Sequence, residues 1–459
     1  MNAMRARTGP MRFVLALSAL ALSQAAGAGI ITVGPDGTFA TIQAGINAAQ
    51  LAGVANEVHV EAGTYGENLT LTQSSGTLDI LGGWNSTFTQ RSLDPSATEI
   101  FGGGTARVLN ASVSGGEFTF SGFSFLDGTA SDRGGGVYLH IGNTGLVQIR
   151  NSHFIFNTVQ ATAGGNALGG AFYAELFNTA GLIFDGNVVD SNSASVVNGV
   201  ANGGGVFVEV FDSADAAISN NVIQNNVAAA TGSGHATAGG AQFEIAGGAQ
   251  VSVARSSFLS NSLSASDASH ASFSGAFVSA SCASNCQFGL DLSTFDGNHG
   301  LGAAQLAIGM GGAGAPSARL ADLLISRSDG IGLLLQMDKG TANLVNLTVA
   351  GNAGTGIYLV PNATITLFNS LAFGNHPDLV ELGTAQFGNN LIGVDPLFVD
   401  AANGNYRLKS NSPARDAGAA TPPGGLGLFD LDGNPRTFGP AADIGAYEIG
   451  DEIFKNGFD

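Results

Sequence analysis

Three glutamates recur at a nearly constant step along the chain. Glu175, Glu209 and Glu244 are 34 and 35 residues apart. If one step is one turn of a stacked structure, their carboxylates form a column at about 4.8 Å spacing. Like charges this close repel unless a cation, a proton or a ligand intervenes. The three residues are therefore candidate ligands of Ca²⁺, or of a cationic or hydroxyl-rich molecule.

An aromatic column runs beside the glutamates. Tyr138, Tyr173 and Phe207 keep the same step, and His140 stands one step before Glu175. Because aromatic faces stack on sugar rings, these four residues are further candidate ligand-binding residues. Two other interpretations stay open. One is a solvated strip of acids, with the aromatics covered by long loops. The other is a retaining glycosidase, whose two carboxyl groups lie about 5–5.5 Å apart.

Two sequence phrases share this period. A Gly-Gly-Ala-type phrase and an apolar-x-x-Asn phrase each return every 34–37 residues. The first phrase occurs at 134–136, 169–171, 203–205, 239–241 and 274–276, and the second at 154–157, 189–192, 223–226, 258–261 and 295–298. Two independent markers with one period predict a repeat in which each coil stacks on the next.

The residues between the markers predict strands. Val137–Ile141 and Val206–Val210 alternate with period two, and Asn and Gly clusters mark turns. We therefore predict an all-β fold, a parallel β-helix, right-handed as parallel crossovers generally are. The recurring Asn is expected to bond the Asn of the next coil. After Asn298 the period shortens to 23, so the longer coils are expected to carry loops, for example at 228–238.

The sequence lacks the signatures of known β-helix enzymes. It has no Asp-Asp pair, no Asn-Thr-Asp, no Gly-His-Gly, no Arg-Ile-Lys and no Gln-Asp-Thr. A lyase needs an Arg or Lys base near Ca²⁺, yet Lys339, Lys409 and Lys455 are the only lysines, and none sits in the regular coils among acids. These absences favour a non-catalytic function.

Composition and the N-terminus indicate an exported, acidic protein. Arg5, Arg7 and Arg12 precede a short apolar stretch and the small residues Ala26 to Ala28, which predicts a signal peptide at 1–28. Its removal takes away three Arg and changes the net charge from −19 to −22. So negative a surface disfavours nucleic acid and anionic lipid. No later segment is apolar enough to predict a transmembrane helix.

Cys282 and Cys286 are the two cysteines of the chain. In an exported protein their pairing in a local disulfide is expected, with two free thiols as the alternative.

Three stretches resemble known families. Residues 30–65 are similar to the opening of pectin-esterase-like β-helices, in which a helix with Thr38 as its N-cap would cover the first coil. The repeats at 134–298 resemble those of polymorphic outer-membrane protein passenger domains, many of them adhesins. Residues 391–448 resemble the choice-of-anchor Q domain through Asp395-Pro396, Asn405–Leu408, Ser412–Gly418, Asp430–Arg436 and Asp443–Glu448. That resemblance implies a cap on the last coil, with structural ion pairs of Arg415 and Arg436.

The sequence thus predicts one pectin-lyase-like solenoid. Its parts are a signal peptide at 1–28, an N-terminal cap and first coils at 29–105, the parallel β-helix at 106–390, a C-terminal cap at 391–449 and a sorting tail at 450–459. The expected function is a secreted or Gram-negative surface-attached, adhesin-like scaffold that contacts a polysaccharide or a cell-surface partner. A polysaccharide-active lyase or hydrolase and a purely structural spacer are the alternatives, and the sequence does not specify the oligomeric state.

Overall fold

The computed structural model describes residues 29–52, 56–266, 270–300 and 302–450. These residues form a right-handed parallel β-helix, as predicted, whose coils are built from three long parallel sheets. Within them, no helix has the length and apolar character needed to cross a membrane. The predicted signal peptide at 1–28 and the tail from Asp451 to Asp459 lie outside the described residues.

Each coil contributes one strand to each of the three sheets. Sheet 1 contains, in order, Gly29–Val33, Asn56–Glu61, Thr77–Trp84, Glu117–Ser121, Leu146–Arg150, Gly181–Asp185, Asp215–Ser219, Gln250–Ala254, Gln287–Asp291, Ser317–Ala321, Thr341–Val345, Thr364–Phe368 and Ala385–Gly388. Sheet 2 contains Gly63–Tyr65, Thr98–Phe101, Ser124–Leu126, His153–Ile155, Val188–Asp190, Val222–Gln224, Ser257–Leu259, Thr294–Asp296, Leu324–Ser326, Thr348–Ala350, Leu371–Phe373 and Leu391–Ile392.

Sheet 3 carries the candidate columns. Its strands are Leu69–Gln73, Leu109–Val113, Val137–Ile141, Phe172–Leu176, Val206–Val210, Ala241–Ala246, Phe273–Cys282, Ala304–Gly312, Ile331–Met337, Ile357–Pro361 and Leu379–Glu381. Alternate residues of all three sheets point inward and form one continuous apolar core.

A ladder of buried amides lines the turn after sheet 2. The side-chain Nδ2 of Asn157 donates to Oδ1 of Asn192 at 3.0 Å, and the same bond continues through Asn226 and Asn261 to Asn298. All five side chains are buried. The predicted contact between the recurring Asn residues is therefore confirmed, and it satisfies polar groups that would be costly to bury unpaired.

The extra residues of the long coils are strands rather than loops. Thr129–Ala130, Thr158–Gln160, Ser193–Val197, Val227–Thr231 and Ser262–Ser264 form sheet 4, and Asn166–Leu168, Val200–Asn202 and His235–Thr237 form sheet 5. A second, alanine-rich core lies between the two sheets. The expectation of loops at 228–238 was wrong because small alternating residues such as Ala228 and Ala230 can pack a thin sheet-on-sheet layer.

Helix α1, Ile42–Ala52, covers the first coil. Ile42, Ile46 and Ala49 are buried against the core. The helix begins later than expected, and its first turn is capped by Thr41, whose Oγ1 accepts from the Ala44 N–H at 3.2 Å. The predicted cap, Thr38, instead bonds Thr32 at 3.0 Å. Short 3-10 turns occupy Pro95–Ala97 and Ala401–Asn403.

The C-terminal segment lies along the side of the coils. After the last coil it forms an antiparallel pair, Phe398–Asp400 with Asn405–Leu408. Its apolar residues pack on Leu324, Ala350 and Leu371, which point outward from sheet 2 on successive coils. The C-terminal segment was expected to cap the last coil, but it covers the outer face of sheet 2 instead. Sheet 2 has apolar residues on that face, and they are shielded from water by this packing.

Candidate functional site

The predicted register of the two columns on sheet 3 is confirmed. Tyr138 pairs with Tyr173 and Tyr173 with Phe207, while His140 pairs with Glu175, Glu175 with Glu209 and Glu209 with Glu244. Alternate residues on the same strands, such as Leu139 and Val208, point into the core. The seven candidate residues therefore share the outer face of sheet 3 in two adjacent rows.

Much of the aromatic column is nevertheless closed to solvent. The side chains of Tyr173 and Phe207 are 0% and 1% exposed. The turn from sheet 5 into sheet 3 passes so close that a Cβ on Gly203 would lie 3.1 Å from Cβ of Phe207. The Arg133 guanidinium carbon lies 4.9 Å from the centroid of the Tyr173 ring. Tyr173 and Phe207 thus cannot stack on a ligand in this conformation.

Glu175 is held chiefly by Tyr138, His140 and Arg133, and the Tyr173 hydroxyl donates a longer bond to it at 3.5 Å. Its Oε1 accepts from the Tyr138 hydroxyl at 2.6 Å and lies 2.8 Å from Nδ1 of His140. Its Oε2 lies 3.4 Å from a guanidinium nitrogen of Arg133, which also donates to the Tyr173 hydroxyl at 3.1 Å. Burial and the bond to Glu175 raise the pKa of Tyr138 to about 12, so this phenol remains a donor.

Glu209 and Glu244 relieve their repulsion differently. Glu209 accepts a hydrogen bond from Tyr173, and Glu244 accepts one from Nε2 of Gln242 at 2.8 Å. Burial raises the pKa of both carboxyls, and the neighbouring acids raise it further. Protonation of these carboxyls can therefore relieve the repulsion for which a cation was predicted.

The Ca²⁺ prediction receives no geometric support from these contacts. Within residues 29–52, 56–266, 270–300 and 302–450, no three His, Cys, Asp or Glu side chains converge in a way that could hold a metal ion. Glu175, Glu209 and Glu244 are instead bound to phenol, imidazole, guanidinium and amide groups. These contacts leave the sequence-based prediction of Ca²⁺ binding untested, and a titration described below decides between it and a column held by protein partners alone.

Sequence reasoning missed the cations of this network. Arg133 immediately precedes the first Gly-Gly phrase and continues the line of sheet 5 through its bridge to Leu168. Arg107 and Asp132 form an ion pair beside it, and Arg107 lies over the Tyr138 ring at 5.4 Å. The available signal was the charged pair Asp132-Arg133, which stands immediately before the first Gly-Gly phrase.

The same columns become accessible farther along sheet 3. Sheets 4 and 5 end at Ser264 and Thr237, and the aromatic column continues from Gln242 to Phe277, half-buried and stacked on Phe273 at 4.3 Å. There a groove of about 360 Å³ opens, and we call it the sheet 3 groove. Its remaining lining residues are Ala280, Ser281, Ala307, Ile308, Gly309, Met310, Gly311, Gly312, Leu334, Gln336 and Asp338.

The floor and rims of the groove differ in chemistry. Gly309 has open space above it, since an added Cβ would approach nothing closer than a carbonyl at 4.0 Å. Gln336 and Asp338 are exposed on one rim, and the stacked pair Phe273 and Phe277 forms the other wall. An aromatic wall opposite hydrogen-bonding groups can hold a ligand that has an apolar face and hydroxyl groups.

Cys282 and Cys286 are joined by a disulfide. Their bond closes the turn between sheet 3 and sheet 1 at one end of the groove. Both cysteines are buried, and Gly312 packs directly against Cys282. The pairing agrees with the export that the sequence predicts.

Comparisons with known proteins give a fold likeness and no family. The chain matches no protein-family model, and no curated protein is similar to it in sequence. It is similar in structure to the crystal structure of pectate lyase Pel9A, with a TM-score of 0.43 and 13% identity, over 92% of this chain and 97% of that chain. The resemblances to adhesin repeats and to the choice-of-anchor Q domain therefore rest on their sequence motifs alone.

Proposed function

We propose that this protein is a secreted or surface-attached, non-catalytic β-helix scaffold that binds a glycan in the sheet 3 groove. The observation that carries the proposal is the groove itself. It is the stretch of sheet 3 where the aromatic column loses its cover, and where Phe273 and Phe277 face the polar groups of Gln336 and Asp338. The predicted signal peptide and the sequence resemblances to adhesin repeats and to an anchor domain support the proposed location.

The lining of the groove supports binding over hydrolysis. A glycosidase uses two carboxyl groups that flank the scissile bond. Asp338 is the single carboxylate among the described residues that line the groove. The other acids of sheet 3, Glu175 and Glu209, lie in the covered network and are engaged by Tyr138 and Tyr173.

A glycan array, followed by calorimetry with the best oligosaccharides, tests the proposal. Phe277→Ala removes the wall, and Gln336→Ala removes a rim donor. Each change should weaken binding about tenfold, since aromatic and hydrogen-bonding contacts contribute about 1 kcal/mol or more. Phe387→Ala is the matched control, because Phe387 is also an exposed aromatic, at 42%, but lies on the last coil.

The alternatives predict different outcomes. A lyase or hydrolase would release unsaturated products or new reducing ends from polysaccharides, and Glu175→Gln or Glu209→Gln would abolish that release if the covered column were catalytic. A spacer would bind no glycan on the array. Either result would overturn the proposal.

A further inference from the structure

A larger cleft lies on another face of the coil, outside sheet 2. It has a volume of about 650 Å³ and separates the outer face of sheet 2 from the C-terminal segment. We call it the sheet 2 cleft. Its lining consists of Arg255, Ser257, Leu292, Thr294, Arg407, Phe429, Asp430, Leu431, Asp432, Gly433 and Tyr447. The volume falls in the range of small-molecule sites.

The acids of this cleft are already engaged. Asp432 pairs through both carboxylate oxygens with Arg407, whose guanidinium also lies over the Tyr447 ring at 5.3 Å. Asp430 accepts from the backbone N–H of Asp432 at 3.0 Å and of Asn434 at 2.7 Å with one oxygen, and from Glu448 at 2.8 Å with the other. These contacts hold the turn at 430–434 in place, and they leave neither carboxylate free to act on a ligand.

One cation in the cleft has no partner. Arg255 is exposed, and within the described part of the chain its guanidinium makes no hydrogen bond or ion pair. Asp291 senses the charge of Arg255 but is paired with Arg319. The hydroxyls of Ser257 and Thr294, on adjacent strands of sheet 2, likewise make no described side-chain bond. The Phe429 ring is 44% exposed and gives the cleft an apolar wall.

The backbone beneath Arg255 gives independent evidence. Arg255 lies in the left-handed region, with φ of 48°, at the turn between sheet 1 and sheet 2. The neighbouring coil has Leu292 there, with φ of 49°. Both side chains line the cleft, although residues other than Gly, Asn and Asp rarely adopt this left-handed backbone conformation. Eight other coils make this left-handed turn, and they have Gly, Asn or Asp there: Gly122, Asn151, Gly186, Asn220, Asp322, Asn346, Asn369 and Asn389.

We infer that the sheet 2 cleft binds a small organic anion, whose carboxylate or phosphate pairs with Arg255 while its apolar face packs on Phe429. An Arg guanidinium binds either group with two parallel hydrogen bonds. The strain retained at Arg255 and Leu292 falls where a ligand would contact them, which is where proteins tend to keep it. The site is separate from the sheet 3 groove and does not depend on glycan binding there.

Calorimetric titration of the full chain at low salt tests the inference with three probes: benzoate, phenyl phosphate and benzyl alcohol. We expect saturable binding of at least one anion and none of the alcohol. Binding of benzoate alone indicates a carboxylate ligand, binding of phenyl phosphate alone indicates a phosphate ligand, and binding of both indicates recognition by charge. Failure of both anions to bind, or equal binding of benzyl alcohol, overturns the proposal.

Variants separate binding from folding. Arg255→Asn should weaken anion binding about tenfold or more, since it removes a charge-assisted bond, while the unfolding midpoint stays level or rises because Asn suits the turn. Phe429→Ala should weaken binding severalfold and leave Arg255 in place. Ala238→Gly, in a turn outside the cleft, is the control and should bind as the unaltered chain does. Undiminished binding by Arg255→Asn would refute the assignment.

Discussion

The phenol of Tyr173 donates a hydrogen bond to the carboxylate of Glu209, which belongs to the next coil. Tyr138 serves Glu175 in the same way. The aromatic column thus supplies a donor to the acid one coil farther along. Phe207 has no hydroxyl to offer Glu244, and there Gln242 of the same coil as Glu244 takes over. The two columns form one interlocked structural network.

Tyr173→Phe should lower the free energy of unfolding by about 1–3 kcal/mol, because it leaves the half-buried carboxylate of Glu209 without its donor. Tyr138→Phe is the matched control and should cost less, since Glu175 keeps His140 and Arg133. Urea denaturation of the three proteins measures the difference. Equal losses for the two variants would contradict the diagonal pairing.

Glu209→Gln should stabilise the fold at pH 8 and have little effect near pH 4. Burial raises the pKa of Glu209 in the folded state, so the folded protein holds a proton that the unfolded chain has released. Stability is therefore lost as the pH rises above the ordinary value for glutamate. Gln keeps an acceptor for Tyr173 and does not titrate. Thermal midpoints at the two pH values test this, and a greater benefit at pH 4 would refute it.

Addition of Ca²⁺ should leave the unfolding midpoint of the chain unchanged relative to a chelator. A ligand that binds only the folded state raises that midpoint by mass action. The acids of the column already have protein partners, so the structure predicts no such rise. If Ca²⁺ does raise the midpoint, and Glu209→Gln abolishes the effect, then Glu175, Glu209 and Glu244 bind the ion after all.

The sequence was sufficient for the coil and for the register of its columns. The spacing of Glu175, Glu209 and Glu244 identified residues that pair directly, because side chains one coil apart must stack in parallel sheets. The buried Asn ladder followed from the same period. The register and the Asn ladder depend on the repeat period alone, and that period can be read directly from the sequence.

Accessibility could not be read from the period. Whether Tyr173 is open depends on sheet 5 and on Arg133, which lies 40 residues away in the chain. The sheet 2 cleft is lined by Arg255 together with residues such as Phe429 and Tyr447, which share one cleft only because the C-terminal segment folds back along the coils. The spacing of residues along the chain does not indicate which distant segments will pack over a given surface.

Ala238→Gly should stabilise the protein by about 1 kcal/mol. Three residues before each sheet 3 strand, the chain takes a left-handed turn at Gly134, Gly169 and Gly203, and Ala238 occupies the same position with φ of 56°. This turn also explains how the fourth repeat keeps its register although its Gly-Gly phrase is displaced by one residue. A Cβ in this conformation costs about 1–2 kcal/mol, and the greater chain entropy of Gly offsets part of the gain.

Chemical denaturation measures that gain. Ala236→Gly is the control, because Ala236 lies in a strand of sheet 5 and is packed in the alanine-rich core, so this change should destabilise. A loss of stability in Ala238→Gly would show that the methyl group of Ala238 contributes more by packing than it costs in backbone strain.

A buried charge cluster should make the attachment of the C-terminal segment sensitive to pH. The Nε of Arg436 lies 3.4 Å from Asp322, on a coil of the helix, and 3.6 Å from Glu448, and all three side chains are buried. Burial raises the pKa of Asp322 to about 6 and that of Glu448 to about 8, against the attraction of Arg436. Near pH 7 Asp322 therefore balances Arg436, and Glu448 keeps its proton.

Raising the pH from 6 to 9 should therefore loosen this segment. The unfolded chain releases the Glu448 proton near the ordinary glutamate pKa, whereas the folded chain retains it up to about 8, so stability falls across that interval. Glu448→Gln keeps the acceptor for the Asp443 N–H, bonded at 2.8 Å, and does not titrate. It should reduce the pH-dependent loss in the free energy of unfolding by an amount on the order of 1 kcal/mol, seen as a smaller fall in the thermal midpoint. Glu99→Gln, outside the segment, should follow the unaltered chain. Hydrogen exchange at 395–450 gives the local measurement, after correction for the effect of pH on the intrinsic exchange rate. Protection that does not change with pH, or that changes equally in Glu448→Gln, would show that this carboxyl does not control the attachment.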